Sequence, residues 1–269
     1  MINRACRTRS FALAAGLTRA GIAGLRAKTP GGRGRWERTN HAGRTVELYA
    51  GPAAALGAAV AAGRVSPVAG FAVLAAGLCG GYDDVAGAGD DRRGFRDHLG
   101  ALRDGEITSG TVKLFGISAA GLVAGALLKE RAVDKVLAGV VIAGAAHFVN
   151  LVDVRPARAA GAVLALGAPG LLRSGPGAQL AAAATGAAAA VLPDDAAERT
   201  MLGDTGAHAL GAALGTAVVA GNTRAGLLAH AAAVVAAAVY GEKVSEAARS
   251  GGGRLFGGRL LGGGSLGGV

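Results

Sequence analysis

Apolar and charged residues are strongly segregated along this chain. Long runs of Ala, Val, Leu and Gly alternate with short clusters of Arg and Asp, and the eighteen positions 65–82 carry no charge. A helix that crosses a bilayer needs about 20 apolar residues and rarely fewer than about 17. We therefore predict an all-α, polytopic membrane helix bundle. Its nine predicted crossings lie at residues 11–25, 46–63, 65–82, 111–128, 132–151, 159–172, 177–192, 205–220 and 223–240.

The two ends of the chain differ from its middle. Residues 11–25 contain Arg19 and follow a basic segment, a pattern that weak crossings share with secretory signal peptides. No small-x-small cleavage site follows, which favours a crossing. Residues 246–269 are rich in Gly, so we predict a disordered cytoplasmic tail after a membrane-embedded domain at residues 1–245.

The composition agrees with a membrane protein. Hydrophobic residues make up 51% of the chain and charged residues 17%, whereas soluble domains carry about a quarter charged residues. The 48 glycines suit close packing of helices in lipid. The net charge of +10 raises the question of nucleic acid as a partner. The basic residues lie between apolar runs and no nucleic-acid motif occurs, so we predict no nucleic-acid partner.

The distribution of Lys and Arg predicts the orientation. One set of alternate loops comprises residues 26–45, 83–110, 152–158, 193–204 and the tail from 241. With Lys113 at its membrane edge, this set holds eighteen Lys and Arg, against nine in the other set. Cytoplasmic loops carry an excess of positive charge. The first set is therefore predicted to face the cytoplasm.

Acidic residues recur at the cytoplasmic ends of the predicted crossings. Asp83 and Asp84 end the third crossing, Asn150 and Asp153 end the fifth, and Asp204 opens the eighth. Carboxylates close to hydrocarbon are costly unless they are compensated. Mg2+ prefers oxygen ligands and binds through one or two carboxylates together with phosphate oxygens. This pattern predicts a Mg2+–phosphate site at one edge of the bundle, with exposed acidic pairs as the alternative.

Basic side chains extend this candidate site. Lys113 begins the fourth crossing at the same edge, where its ammonium could bind a phosphate or extend to the membrane surface. His98 lies in DHLGALRDG, which has the pattern of a short amphipathic helix on the membrane surface. It is a candidate phosphate contact, but an exposed position on the polar face of that helix is the favoured interpretation. His147 and His208 lie in apolar runs near the same edge.

Three segments, in this order, resemble a known family: GYDDVAGAGDD with RRGFRDHLGALRDGEITSGTVKLFG, then HFVNLVDVRPARA, then MLGDTGAHALGAALG. They resemble the polyprenyl-phosphate N-acetylhexosamine-1-phosphate transferases, of which the MraY and WecA enzymes are the best known. WERTNHAGRTVELYAGPA is similar to the first cytoplasmic loop of that family, so the resemblance covers residues 36–220. It implies a multi-pass bacterial cell-membrane enzyme of envelope glycan synthesis. Such an enzyme uses Mg2+ to transfer a sugar-1-phosphate from a UDP-sugar to polyprenyl phosphate on the cytoplasmic face.

The resemblance also implies roles for single residues. Asp83, Asp84 and Asp204 match catalytic positions of the family, and Asp84 and Asp204 would also bind the metal. Lys113, Asn150 and Asp153 match positions that bind the phosphate, nucleotide and diphosphate of the substrates. Two residues that the resemblance does not cover, Arg155 and His98, are further candidates for substrate binding.

The chain also departs from the family pattern. Pro156 replaces a second Asp, Ala207 replaces a Ser, and no histidine-rich loop follows Tyr240. One hypothesis is therefore a divergent transferase, and another is a non-catalytic membrane protein that binds polyprenyl phosphate or scaffolds envelope assembly. An ion transporter is disfavoured, because the carboxylates lie at one edge rather than near mid-bilayer. The sequence is compatible with a homodimer.

Overall fold

The computed structural model describes residues 2–87 and 94–250, and most of them are helical. Its helices are α1 Ile2–Lys28, α2 Ala50–Gly63, α3 Pro67–Ala86, α4 Gly94–Arg103, α5 Ser109–Leu128, α6 Ala132–Val152, α7 Arg158–Leu171, α8 Pro176–Ala196, α9 Gly203–Gly221, α10 Arg224–Val239 and α11 Gly241–Ser250. Two short strands, β1 Glu37–Thr39 and β2 Thr45–Glu47, form an antiparallel hairpin between α1 and α2. The all-α class is confirmed apart from this hairpin.

Each predicted crossing coincides with one helix, but one boundary was wrong. Residues 46–49 were assigned to the second crossing, whereas α2 begins at Ala50. Val46 pairs with Arg38 in the hairpin, and the Glu47 amide donates to the Arg199 carbonyl at 3.2 Å. These backbone bonds stabilise an extended conformation that local hydropathy does not indicate.

Helix α9 lies at the centre of the bundle. It packs against α2, α3, α6, α7 and α8, and nearly all of its side chains are buried. The contact with α6 requires glycine on α9, because a Cβ on Gly211 would lie 2.4 Å from the Ala145 carbonyl oxygen. Close backbone approach of this kind is typical of helix packing in membranes. The core is accordingly rich in Ala, and its largest fully buried side chains include Ile22, Leu202 and Leu210.

Within the described residues, three helices are long and apolar enough to cross a membrane: α3, α5 and α6. Helices α10 and α11 reach that threshold together but meet at an angle of 84°. Helices α2 and α7 are apolar but have only 14 residues each, which is short for a full crossing. A membrane protein with three or four spanning helices is therefore supported, and the nine-crossing bundle remains a prediction.

Arg19, the charge inside the first predicted crossing, has a specific partner. Its Nη1 donates to Asp194 Oδ2 at 2.9 Å and to the Ala190 carbonyl at 3.3 Å. Asp194 also accepts from Arg199 Nε at 3.0 Å. Two arginines thus compensate one buried carboxylate where α1 packs against α8.

Parts of two predicted segments lie outside the described residues. Residues 88–93, which include the second acidic pair and the first two arginines of GYDDVAGAGDDRR, are among them. So are residues 251–269, most of the predicted tail. The predicted boundary between residues 245 and 246 falls inside α11, whose Ser245 hydroxyl donates to the Leu151 carbonyl at 2.7 Å.

Candidate functional site

A close contact between α3 and α9 brings distant acidic motifs together. A Cβ on Gly80 would lie 2.3 Å from the Asp204 carbonyl oxygen, so the two helices could not approach this closely with any other residue there. Asp83 and Asp84 follow Gly80 by about one helical turn. The sequence GGYDD therefore combines a contact surface for α9 with the carboxylates that face it.

Asp84 caps the first turn of α9. Its Oδ1 accepts from the Asp204 amide at 2.9 Å, and its Oδ2 accepts from the Thr205 amide at 2.9 Å and from the Thr205 hydroxyl at 2.5 Å. A carboxylate at this place satisfies amides that lack helical partners and faces the positive end of the helix dipole. Gly203 permits this contact, because its φ is +59° and a Cβ would lie 3.0 Å from Asp84 Oδ1.

Lys113 joins the other two carboxylates. Its Nζ donates to Asp83 Oδ2 at 2.5 Å and to Asp204 Oδ2, so one ammonium bridges side chains from α3 and α9. The three side chains are between 16% and 24% exposed. Opposite charges with this limited access to water interact more strongly than a surface pair. A single cation position therefore lies between Asp83 and Asp204.

Two further carboxylates are linked to this group electrostatically, Asp153 through Asp84 and Asp204, and Asp195 through Asp153. Asp153 follows the last residue of α6, and burial together with the negative charges of Asp195, Asp204 and Asp84 raises its pKa well above the usual value. Burial also raises the pKa of Asp195 to about 6, although its Oδ2 accepts from the Ala157 amide at 2.7 Å. We call Asp83, Asp84, Asp153, Asp195 and Asp204 the acidic cluster.

Asp195 was not among the predicted site residues. The sequence nevertheless carries a signal for it, because the adjacent pair Asp194 and Asp195 follows the seventh predicted crossing after Pro193, as Asp83 and Asp84 follow the third. The same rule, an apolar run that ends in two carboxylates, identifies both pairs. The members of the second pair face different surroundings, and only Asp195 belongs to the acidic cluster.

Two histidines lie beneath the acidic cluster. His208 Nδ1 is 2.7 Å from the Asp204 carbonyl oxygen, one helical turn earlier on α9. Its ring meets that of His147 edge to face, with centroids 5.4 Å apart. His208 Nε2 is buried and has no hydrogen-bond partner among the described residues. The histidines therefore connect the cluster to the apolar interior between α6 and α9.

Three predicted substrate-binding residues are not joined to the cluster by hydrogen bonds. His98 Nδ1 lies 2.9 Å from Thr108 Oγ1, and that hydroxyl caps α5. The Asn150 side chain is half-buried and makes no hydrogen bond to another described residue, and Arg155 is exposed. Their substrate-binding roles remain predictions.

The donor set can be compared with the needs of Mg2+. Within residues 2–87 and 94–250, no group of three or more His, Cys, Asp or Glu side chains is arranged to hold a metal. Mg2+ requires less, since one or two carboxylates, phosphate oxygens and waters suffice. Asp83 and Asp204 already reach one cation, whereas Asp84, a predicted ligand, directs both oxygens to α9. A two-carboxylate site in which an ion competes with Lys113 fits these residues best.

Comparisons with known proteins assign no family. No protein-family model matches the chain, and no curated protein is significantly similar to it. The resemblance to sugar-1-phosphate transferases therefore depends on the motifs alone and stays a prediction.

Proposed function

We propose that this chain is a divergent, Mg2+-dependent polyprenyl-phosphate sugar-1-phosphate transferase of a bacterial cell membrane. In this proposal nine helices cross the membrane and the acidic cluster faces the cytoplasm. One observation carries it: Asp83 and Asp204, distant in sequence, converge on one cation, the ammonium of Lys113. Carboxylates and a lysine around one cation position suit a site for diphosphate and divalent metal.

The contacts of each residue indicate its role in the proposed reaction. Asp84 keeps the first turn of α9 against α3 and so fixes Asp204 opposite Asp83. Lys113 exchanges its carboxylate partners for a phosphate oxygen when substrate binds. Asp83 then orients the lipid phosphate and accepts its proton if one is present. Asp83 and Asp204 would hold Mg2+, which would supply neutralisation of the diphosphate charge and polarisation of the phosphorus under attack.

The proposed reaction is one phosphoryl transfer. An oxygen of the polyprenyl phosphate attacks the β-phosphorus of the UDP-sugar and forms a new P–O bond. The bond from that phosphorus to the bridging oxygen breaks, and UMP leaves with the electron pair. Positioning and neutralisation of charge supply most of the catalysis in reactions of this class.

A specific observation favours a second candidate, a non-catalytic protein that binds polyprenyl phosphate or scaffolds envelope assembly. Lys113 already neutralises Asp83 and Asp204, and three hydrogen bonds occupy the oxygens of Asp84. Such a network can stabilise the folded protein without taking part in any reaction.

A transfer assay separates the two candidates. Purified full-length protein is incubated with undecaprenyl phosphate, Mg2+ and a panel of radiolabelled UDP-sugars, and lipid-linked product is counted. We expect product from at least one donor, loss of product in Asp204→Asn, and normal product in Glu130→Gln, an exposed carboxylate between α5 and α6. Absence of product from every donor, with lipid binding intact in wild type and Asp204→Asn, supports the scaffold.

A further inference from the structure

An apolar groove runs along the outside of the bundle between α2 and α3. Its volume is about 420 Å3, within the range of small-molecule sites. Leu56 from α2 and Leu74, Leu78 and Tyr82 from α3 line it. These side chains are between 43% and 66% exposed, so the groove is open on the surface of a helix that is long enough to span a membrane.

The end of the groove beneath the β1–β2 hairpin is cationic. Arg35 and Arg38 line it there, and neither forms an ion pair with a described carboxylate. Arg38 Nη1 donates to the carbonyls of Arg35 and Glu37, and its Nη2 donates to the Asp84 carbonyl at 3.1 Å. Arg35 is exposed and its guanidinium is available to an anion.

An aromatic side chain fixes the hairpin at this end. Trp36 Nε1 donates to the Pro30 carbonyl at 2.7 Å, and the Trp36 ring lies against the Tyr49 ring with centroids 5.3 Å apart. Trp36 also lines the groove. Tryptophan between an apolar surface and basic residues is typical of the membrane–water interface.

We propose that this groove holds one acyl chain of an anionic glycerophospholipid of the bilayer, with the headgroup phosphate bound at Arg35. The charge complementarity supports this occupant, because an apolar slot whose two arginines at one end form no ion pair with a described carboxylate matches an apolar chain with an anionic head. Basic pockets beside membrane helices bind anionic headgroups, and burial of acyl methylenes adds to the affinity. Asp84 at the rim is already bonded to α9 amides and to Thr205.

The site goes beyond the proposed function and does not depend on it. Arg38 connects the groove to the backbone of Asp84, so a bound lipid would hold the hairpin and the end of α3 together. The lipid is a structural ligand that is not consumed. Its binding is therefore measurable in a protein that transfers no sugar phosphate.

Native mass spectrometry of the full-length protein tests the proposal. The detergent-solubilised protein is titrated with phosphatidylglycerol or with phosphatidylcholine of the same chain length. Arg35→Gln removes the cation and Leu78→Trp fills the groove. The matched controls are Arg64→Gln, an exposed arginine at the other end of α2, and Leu127→Trp, an equally exposed leucine on α5.

We expect wild type to bind one phosphatidylglycerol in preference to phosphatidylcholine. Arg35→Gln should weaken phosphatidylglycerol binding by about fivefold, the ratio that corresponds to about 1 kcal/mol per arginine. Leu78→Trp should abolish the one-lipid adduct, and both controls should bind as wild type does. Equal binding of the two lipids, or equal losses in the controls, would overturn the proposal. Displacement of phosphatidylglycerol by equimolar undecaprenyl phosphate would reassign the groove to that lipid.

Discussion

Asp194 and Asp195 are neighbours on α8 with opposite surroundings. Burial opposes the ionisation of Asp194, but hydrogen bonds from Arg199 and Arg19 more than offset it and lower its pKa. Burial raises the pKa of Asp195 to about 6, and the Ala157 amide offsets this only in part. One helix therefore carries a compensated carboxylate toward α1 and an under-compensated one toward the acidic cluster.

This difference separates a structural ion network from a candidate functional site. Among the described residues, Lys113 is the one cationic side chain that hydrogen-bonds to a carboxylate of the acidic cluster. Five carboxylates that share one cationic hydrogen-bond partner among the described residues cost free energy, and such groups are concentrated at functional sites. In the proposed function, a divalent metal ion would add positive charge to the acidic cluster, and a substrate phosphate would take Lys113 as its partner.

The largest effect is expected from removal of Lys113. Lys113→Met leaves Asp83 and Asp204 facing each other without a counter-charge, and loss of one partner of a largely buried pair costs about 3 kcal/mol. The apparent melting temperature in detergent with EDTA should fall accordingly. Mg2+ should recover part of the loss, because the ion can take the position between the two carboxylates.

Arg19→Gln is the matched change in the compensated network. The Arg19 side chain is 53% exposed and Asp194 keeps Arg199, so the loss should stay below about 1 kcal/mol and should not respond to Mg2+. If Arg19→Gln lowered the stability as much as Lys113→Met does, the distinction between the Asp194 network and the acidic cluster would be removed.

The next effect concerns pH. Because the pKa of Asp195 is raised to about 6 in the folded chain, its contribution to stability is fully present below about pH 4 and is lost as the pH rises through about 6. Asp195→Asn removes the cost of ionising this buried carboxyl group. The variant should therefore be more stable than wild type at pH 8, by about 3 kcal/mol at most. Thermal unfolding at pH 4.5 and pH 8 measures it.

Asp194→Asn should behave in the opposite way. The pKa of Asp194 is lowered, so its contribution is present at neutral pH and is lost as the pH falls through the folded value. At pH 8 this variant should be less stable than wild type. The same sign for both asparagine variants would contradict the division between the neighbouring carboxylates.

A smaller effect is expected at the start of α9. Gly203→Ala places a Cβ at a φ of +59° and 3.0 Å from Asp84 Oδ1, which should cost about 1–2 kcal/mol. Gly161→Ala on α7 is the control, since its Cβ would meet no atom within 4 Å, and it should stabilise by about 0.5–1 kcal/mol. Chemical denaturation in mild detergent distinguishes a loss from a gain.

The sequence predicted the helices well because apolar length is a local property. The crossings predicted at 111–128 and 132–151 became α5, Ser109–Leu128, and α6, Ala132–Val152. The hairpin was missed because its strands have three residues each and are stabilised by partners far along the chain, such as Arg199. Burial alone does not reveal such backbone pairing.

The acidic site was predicted in part. Topology places Asp83, Asp84 and Asp204 near one edge, and the structure brings them together. The sequence could not predict that Asp83 binds Lys113 while Asp84 caps α9. Adjacent helical residues point about 100° apart, and only the packing of α9 decides which of the two carboxylates faces its first turn. Lys113 was expected at a phosphate or at the membrane surface, and its bridge between two carboxylates depends on the approach of α3, α5 and α9.

The central claim is that Asp83 and Asp204 share one cation position that a divalent ion can occupy. Electron paramagnetic resonance of Mn2+, used in place of Mg2+, tests it on the full-length protein in nanodiscs with UDP-N-acetylglucosamine present. We predict one bound Mn2+ in wild type and in Glu130→Gln, and loss of that ion in Asp204→Asn. Equal Mn2+ binding by wild type and Asp204→Asn, with both proteins folded, would contradict it.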